Sequence, residues 1–287
     1  MAIAAPRFDP KFSKLGMFFL SIETMPISQT LCFTNLRLGK YFSAIATLLA
    51  IQSCGLLSLE SASFCPTHLP LGVPEGTPAT NDLICRDIYA LSSNDNTKFA
   101  DWVAYRLDPS NLEYTGETKR VWQADPDIAP AETLEPNDYK GAHDALKTDR
   151  GHLAPLGSFR GKNWQQVNYL SNITPQNSKL NRGEWRELEE YVRDLVQEKS
   201  EVYVITGTFY SDEFPMDALP GADEPHQIPS GYWKIVMYDN VMETYLFPQK
   251  FDTKLTFRDA ETNLAQIEAY SGLNFRFLGD RYKEIDF

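Results

Sequence analysis

The run Asp149-Arg150-Gly151-His152 places a carboxylate, a guanidinium and an imidazole within four residues. Farther along come Asn172-Ile173-Thr174-Pro175-Gln176-Asn177, then Asn181-Arg182-Gly183-Glu184-Trp185, then Leu188-Glu189 and Arg193. Together these groups suit hydrolysis of a phosphodiester beside one metal ion. A histidine can take a proton from water near neutral pH. Amide and carboxylate oxygens suit Mg²⁺, Mn²⁺ or Ca²⁺. Arginine forks match phosphate oxygens.

On residue type alone, blander readings compete. Asn181 followed three residues later by Glu184 has the form of a helix N-cap with a capping box. Glu189 and Arg193 stand four apart and could be a surface ion pair. Arg120, in Arg120-Val121-Trp122-Gln123, could be an ordinary strand-end arginine. The chain has four histidines; His68, His143 and His226 read as satisfied polar side chains.

The D-R-G-H motif followed by A-P, the N-x-x-P-Q segment and the N-R-x-x-W-x-x-L-E run resemble the DNA/RNA non-specific endonucleases of the ββα-metal, or His-Me finger, class. The resemblance extends from about Leu91 to near the C-terminus and is densest from Asp149 to Arg193. It implies an α+β protein, a ββα-metal nuclease fold with a central antiparallel sheet flanked by helices. It implies His152 as general base, with a backbone carbonyl fixing its tautomer, and Asn181 as metal ligand. Glu189 would hydrogen-bond metal-bound waters; Arg150, Arg120 and Arg193 would face phosphate; Asp149 would hold the loop. Asn172, Gln176 and Asn177 would line the site. Mg²⁺ is the implied cofactor, with Mn²⁺ or Ca²⁺ as alternatives, and the products would carry 5′-phosphates.

The elements that position these groups are readable from periodicity. Gly151 permits a tight backbone where Asp149–His152 leads into a strand. Trp185, Leu188, Val192 and Leu195 recur at helical spacing and predict a helix from about Arg182 to Lys199. Asp87–Leu91, Trp102–Leu107, Glu201–Tyr210 and Tyr232–Tyr238 have strand composition, and Glu243–Phe247 an edge strand's. Asp259–Tyr270 has helical spacing and ends at Ser271-Gly272, where glycine can take the left-handed cap conformation.

Overall charge argues against a general nucleic-acid binder. The formal net charge is -12, whereas a basic surface is the usual footprint. From Lys147 to Arg193, however, eight Lys/Arg face five Asp/Glu, so the acidic excess lies elsewhere.

The apolar run Tyr41–Leu57 follows Arg37 and Lys40 and precedes Ser61-Ala62-Ser63, a secretory signal pattern. Met17 and Met25 are alternative starts; an uncleaved anchor and a lipid-carrying Cys54 are alternative fates. The expected organisation is a leader at 1–63 and a single endonuclease domain at 64–287. The mature protein would be secreted or periplasmic, without stable membrane association. Removing the leader would leave Cys65 and Cys85, either bridged in an oxidising compartment or as two buried thiols. Pro66–Asp82, rich in Pro, Gly and Thr, reads as an extended surface arm.

The expected activity is metal-dependent, sugar-non-specific cleavage of DNA and RNA, with an inhibitor protein as a candidate partner. The alternative is a nucleic-acid- or surface-binding protein that keeps the fold without the chemistry. Retention of His152, Asn181, Glu189 and the arginines speaks against it.

Overall fold

A computed structural model of the chain describes residues 64–285, except 114, 115, 117, 118, 162 and 280; the expected leader lies outside the described residues. The elements are β1 (Asp82–Cys85), β2 (Ala90–Ser93), β3 (Ala100–Leu107), α1 (Pro109–Leu112), α2 (Ala142–Leu146), β4 (Thr148–His152), β5 (Ile173–Asn177), α3 (Ser178–Arg182), α4 (Glu184–Lys199), β6 (Val202–Phe209), β7 (Gly231–Tyr238), β8 (Val241–Pro248), α5 (Leu264–Ser271), α6 (Arg276–Gly279) and β9 (Lys283–Glu284), with short 3-10 turns between them.

Seven strands form one sheet in the order β1-β2-β3-β6-β7-β8-β9. All neighbours are antiparallel except β8 and β9, which run parallel. The sheet is therefore antiparallel through its centre and mixed at one edge. The expected edge strand, β8, is instead internal, covered at one end by the two residues of β9.

Both faces of the sheet are covered, which explains why its strands are apolar without simple alternation. On one face Tyr105, Val204, Tyr232, Val236 and Phe247 pack against Trp185, Leu188, Val192, Leu195 and Val196 of α4. The predicted helical stripe is thus the buried stripe. On the other face Trp102, Ile205, Trp233 and Ile235 pack against Ile267 of α5 and against Phe275 and Leu278. The expected helix at Asp259–Tyr270 divides into a 3-10 turn, Phe257–Ala260, and α5, with Asn263 capping the second. Gly272 ends α5 at φ 71°, in the left-handed conformation expected of it. Cys65 and Cys85 form a disulfide that ties the N-terminal arm to the end of β1.

A second sheet has only β4 and β5. A lone two-stranded hairpin is marginal in water, and here the central sheet anchors it. Tyr232 Oη donates to the Pro175 carbonyl at 3.1 Å, and Gln249 Nε2 donates to the same oxygen at 2.8 Å. Pro175 has no N–H to lose, so its carbonyl can face this anchor without leaving a donor orphaned.

One boundary differs from the sequence pattern. The helix predicted from Arg182 begins at Glu184, and Asn181 is not its cap. Asn181 lies in the last turn of α3, which Asn177 caps by accepting from the Lys179 and Leu180 amides at 3.0 and 3.4 Å. Gly183 breaks the chain between the helices at φ −106° and ψ −115°. A Cβ there would meet the Lys179 carbonyl oxygen at 2.7 Å.

Candidate active site

The period of two along β4 puts Arg150 and His152 on one side of the hairpin. A cavity of about 600 Å³ opens there. Arg150, His152 and Asp149 line it from β4, Asn181 and Arg182 from α3, and Arg186 and Glu189 from α4. The loops before β4 add Arg120, Trp122 and Tyr139, and α2 adds His143. Of the six predicted catalytic and metal residues, five meet on this cavity: His152, Arg150, Glu189, Arg120 and Asn181. Arg193 does not line it. Its guanidinium packs beneath Gly157, itself a wall residue, and stands 3.8 Å from Glu190.

His152 is buried, with its ring 5.4 Å from that of Trp122. Its Nε2 lies 3.4 Å from Asn168 Oδ1. A proton on Nε2, donated to that oxygen, leaves the lone pair on Nδ1. The hydrogen-bond partner of the ring in this structure is thus a side-chain amide oxygen. Burial, reinforced by the nearby charge of Arg120, pushes the His152 pKa down to about 4, against the pull of Asn168. At neutral pH the imidazole is therefore uncharged and able to accept a proton.

Arg150 lines the cavity. Its guanidinium carbon lies 5.1 Å from the Tyr139 ring centroid and 5.6 Å from that of Trp122, and its Nη2 donates to the Pro136 carbonyl at 2.9 Å. Its Nε is buried and has no hydrogen-bond partner among the described residues. A cation held on two aromatic faces at the cavity wall suits a phosphate oxygen. Gly151, between Arg150 and His152, has a specific need for glycine: a Cβ would meet the Gln176 side chain at 2.6 Å.

Asn181 Nδ2 donates to Asp149 Oδ2 at 3.0 Å, which turns its amide so that Oδ1 is the free end. Asp149 also receives Arg182 Nε at 2.8 Å and Nη2 at 2.7 Å. Burial would raise the Asp149 pKa, but the hydrogen bonds from Arg182, Asn181 and Ser178 outweigh it and hold it below the usual carboxylate value. Asp149 is an anchored anion that orients the amide.

Glu189 is half-buried. Burial raises its pKa, opposed by Lys234 and Arg193. Among the described residues no three His, Cys, Asp or Glu converge on the cavity; the two such clusters lie at Asp82, Asp95 and Glu132 and at Asp138, Asp223 and Glu224. With Asp149 engaged by Asn181 and Arg182, the oxygen donors left to a cation in the cavity are the oriented Asn181 amide and the Glu189 carboxylate. That hard, sparse set fits an ion that keeps much of its water shell.

Asn172, Gln176 and Asn177 do not line the cavity. Asn172 is fully buried and clamps the hairpin, accepting from the Ala154 amide at 2.8 Å and donating to the carbonyls of Ala154 and Val167. Gln176 is buried beneath Gly151, and Asn177 is spent on the α3 cap. In the other direction, sequence reasoning misses Trp122, Tyr139 and Asn168. It also sets His143 aside, yet His143 forms part of the wall, 3.3 Å from Asp149. The aromatic-basic spacing of Arg120 and Trp122 is the only local signal for any of these.

A hairpin that delivers a neutral histidine, joined to helices that deliver an amide and a carboxylate to the same cavity, defines a nuclease of the ββα-metal class. Similarity to known proteins agrees. The family model for DNA/RNA non-specific endonucleases matches residues 72–279. A nuclease from Serratia marcescens is 40% identical over 246 residues, 83% of this chain and 89% of that protein. Human mitochondrial endonuclease G is 28% identical over 219 residues, 70% of this chain and 71% of that protein. A crystal structure of an EndoG/EndoGI complex superposes with a TM-score of 0.65 at 23% identity, covering 77% of this chain and 95% of that one.

The chain belongs to the DNA/RNA non-specific endonuclease family. It is a non-specific endonuclease of nucleic acids, in a family of metal-dependent nucleases.

Proposed function

We propose that this cavity hydrolyses phosphodiester bonds in DNA and RNA by a one-metal route, with His152 as general base. The observation that carries the reading is the meeting of His152, Arg150, Asn181 and Glu189 on one cavity. Neutral His152 takes the proton of the attacking water at Nδ1, while Asn168 holds the ring through Nε2. Arg150 and Arg120 bind the phosphate and offset the charge gained in the pentacovalent transition state, with Arg193 supporting from behind the wall. Asn181 Oδ1 would ligate Mg²⁺, with Mn²⁺ or Ca²⁺ as alternatives, and Glu189 would accept hydrogen bonds from its waters. Such an ion supplies positive charge at the leaving 3′ oxygen when bound. Bond cleavage on that side leaves the phosphate on the 5′ end.

Phosphate contacts carry no sequence information, so cleavage is indifferent to base. We place the mature protein, from about residue 64, in a secretory or periplasmic compartment; the Cys65–Cys85 bridge supports this. No helix among the described residues is long and apolar enough to cross a membrane. A protein inhibitor that plugs the cavity is part of the same reading.

The test is degradation of plasmid and RNA with Mg²⁺ by wild type beside His152→Ala. Loss of a general base costs on the order of 10²–10⁴ in rate. A variant as fast as wild type removes His152 from its role. A wild type inert in Mg²⁺, Mn²⁺ and Ca²⁺ rejects the one-metal route.

A further inference from the structure

Arg86 stands in the turn between β1 and β2, next to Cys85 of the disulfide, and its side chain is only 6% exposed. Its amide donates to the Tyr89 carbonyl at 2.8 Å, and His68 Nε2 donates to its carbonyl at 3.0 Å. From this tied backbone the guanidinium reaches three groups. Nη2 pairs with Asp125, Nη1 pairs with Asp127 at 2.6 Å, and the guanidinium carbon lies 4.8 Å from the Tyr169 ring centroid. The Asp125 side chain is 0% exposed. Desolvation of two buried charges offsets much of their attraction, so such a pair is a weak source of net stability. Its directed bonds do fix where Asp125 sits.

Asp125 in turn joins two segments that meet at His152. Its Oδ1 also accepts from the Asp127 amide at 3.1 Å, and its Oδ2 accepts from Ser171 Oγ. Two residues earlier, the Gln123 amide donates to the Asn168 carbonyl at 3.3 Å, and the Gln123 carbonyl accepts from the Leu170 amide at 2.9 Å. The turn that carries Arg86 adds another hold, because Tyr89 Oη donates to the Gln166 carbonyl at 2.8 Å. Asn168 is therefore fixed from both sides, by Gln166 before it and by Tyr169, Leu170 and Ser171 after it. Its Oδ1 is the atom that stands 3.4 Å from His152 Nε2. Arg86, Asp125 and Ser171 do not line the cavity.

We propose that Arg86 is a positioning residue for His152. By fixing Asp125 and Tyr169 it holds the 168–171 segment, and so keeps Asn168 Oδ1 against the imidazole. The inference rests on the reading of His152 as the base that Asn168 orients.

The experiment is a double-mutant cycle on nuclease activity with Arg86→Met, Asn168→Ala and the pair. Arg86→Met is expected to lower kcat by about 10–100-fold, the cost of a misplaced catalytic group. KM for nucleic acid should change little, because Arg86 does not reach the cavity. In the Asn168→Ala background, Arg86→Met should cost little more. Arg86→Lys keeps the charge and should recover part of the loss. NMR of the His152 ring nitrogens gives a readout besides activity: the wild type should show the proton held on Nε2, and Arg86→Met a mixture of tautomers. Full activity in Arg86→Met, a loss confined to KM, losses that multiply, or an unchanged tautomer overturns the proposal and leaves the reading of His152 intact. Full activity in Asn168→Ala rejects the orienting role of Asn168, and the proposal with it. Should Arg86→Met fail to fold, the cycle is run with Arg86→Lys. Failure of both to fold makes Arg86 a folding residue and overturns the proposal.

Discussion

His152 should remain uncharged well below the pH at which a free histidine titrates, and acidification tests this directly. Its pKa is about 4 in the folded protein against 6.5 for the free side chain. The unfolded chain therefore binds this proton first as pH falls. The group's contribution to stability is complete above pH 6.5 and drains away as pH drops towards 4. Every tenfold difference in proton affinity between the folded and unfolded chain is worth about 1.4 kcal/mol. Between pH 7.5 and 4.5 the loss assigned to His152 comes to roughly 2–3 kcal/mol, a large share of a domain's stability. His152→Asn lacks this titration and serves as the reference. Both proteins would be unfolded in urea at several pH values with a chelator present, so that metal binding does not enter. The wild type should lose about 2–3 kcal/mol more than the variant over that range. The imidazole NMR signal of His152 should titrate with a midpoint below pH 5. Equal losses, together with a midpoint near 6.5, would refute the argument that burial and Arg120 keep this base neutral.

Two further outcomes follow from the backbone and the disulfide. Gly183→Ala forces a Cβ to within 2.7 Å of the Lys179 carbonyl oxygen, at a cost of about 1–3 kcal/mol. Because the residue joins α3 to α4, Asn181 should shift and the Mg²⁺ concentration for half-maximal activity should rise; an unchanged metal titration would show that the break does not position Asn181. Cys65→Ser with Cys85→Ser opens a bridge spanning 20 residues, and thermal unfolding should register a loss of about 3 kcal/mol. Activity at 25 °C should persist, because neither cysteine touches the cavity; a large fall in kcat would tie the arm to catalysis.

Local chemistry and local periodicity were legible in the chain itself. The stripe of Trp185, Leu188, Val192 and Leu195 identified the face of α4 that would be buried, because a helix repeats within a few residues whatever lies opposite. The strand runs at β3, β6 and β7 were legible for the same reason. His152, Asn181 and Glu189 stood out through the family resemblance of their motifs; on residue pattern alone Asn181 read as a helix cap and Glu189 as half of an ion pair. Tertiary structure decided what no short window contains. Asn172 and Asn181 are the same kind of side chain, yet one is buried as a clamp on Ala154 and Val167 and the other opens onto the cavity. Asn181 fitted a capping box by pattern, but the close packing of Gly183 on the Lys179 carbonyl ends α3 and starts a new helix. Trp122 meets His152 through loops with no period, and Gln249 anchors β5 from 74 residues away.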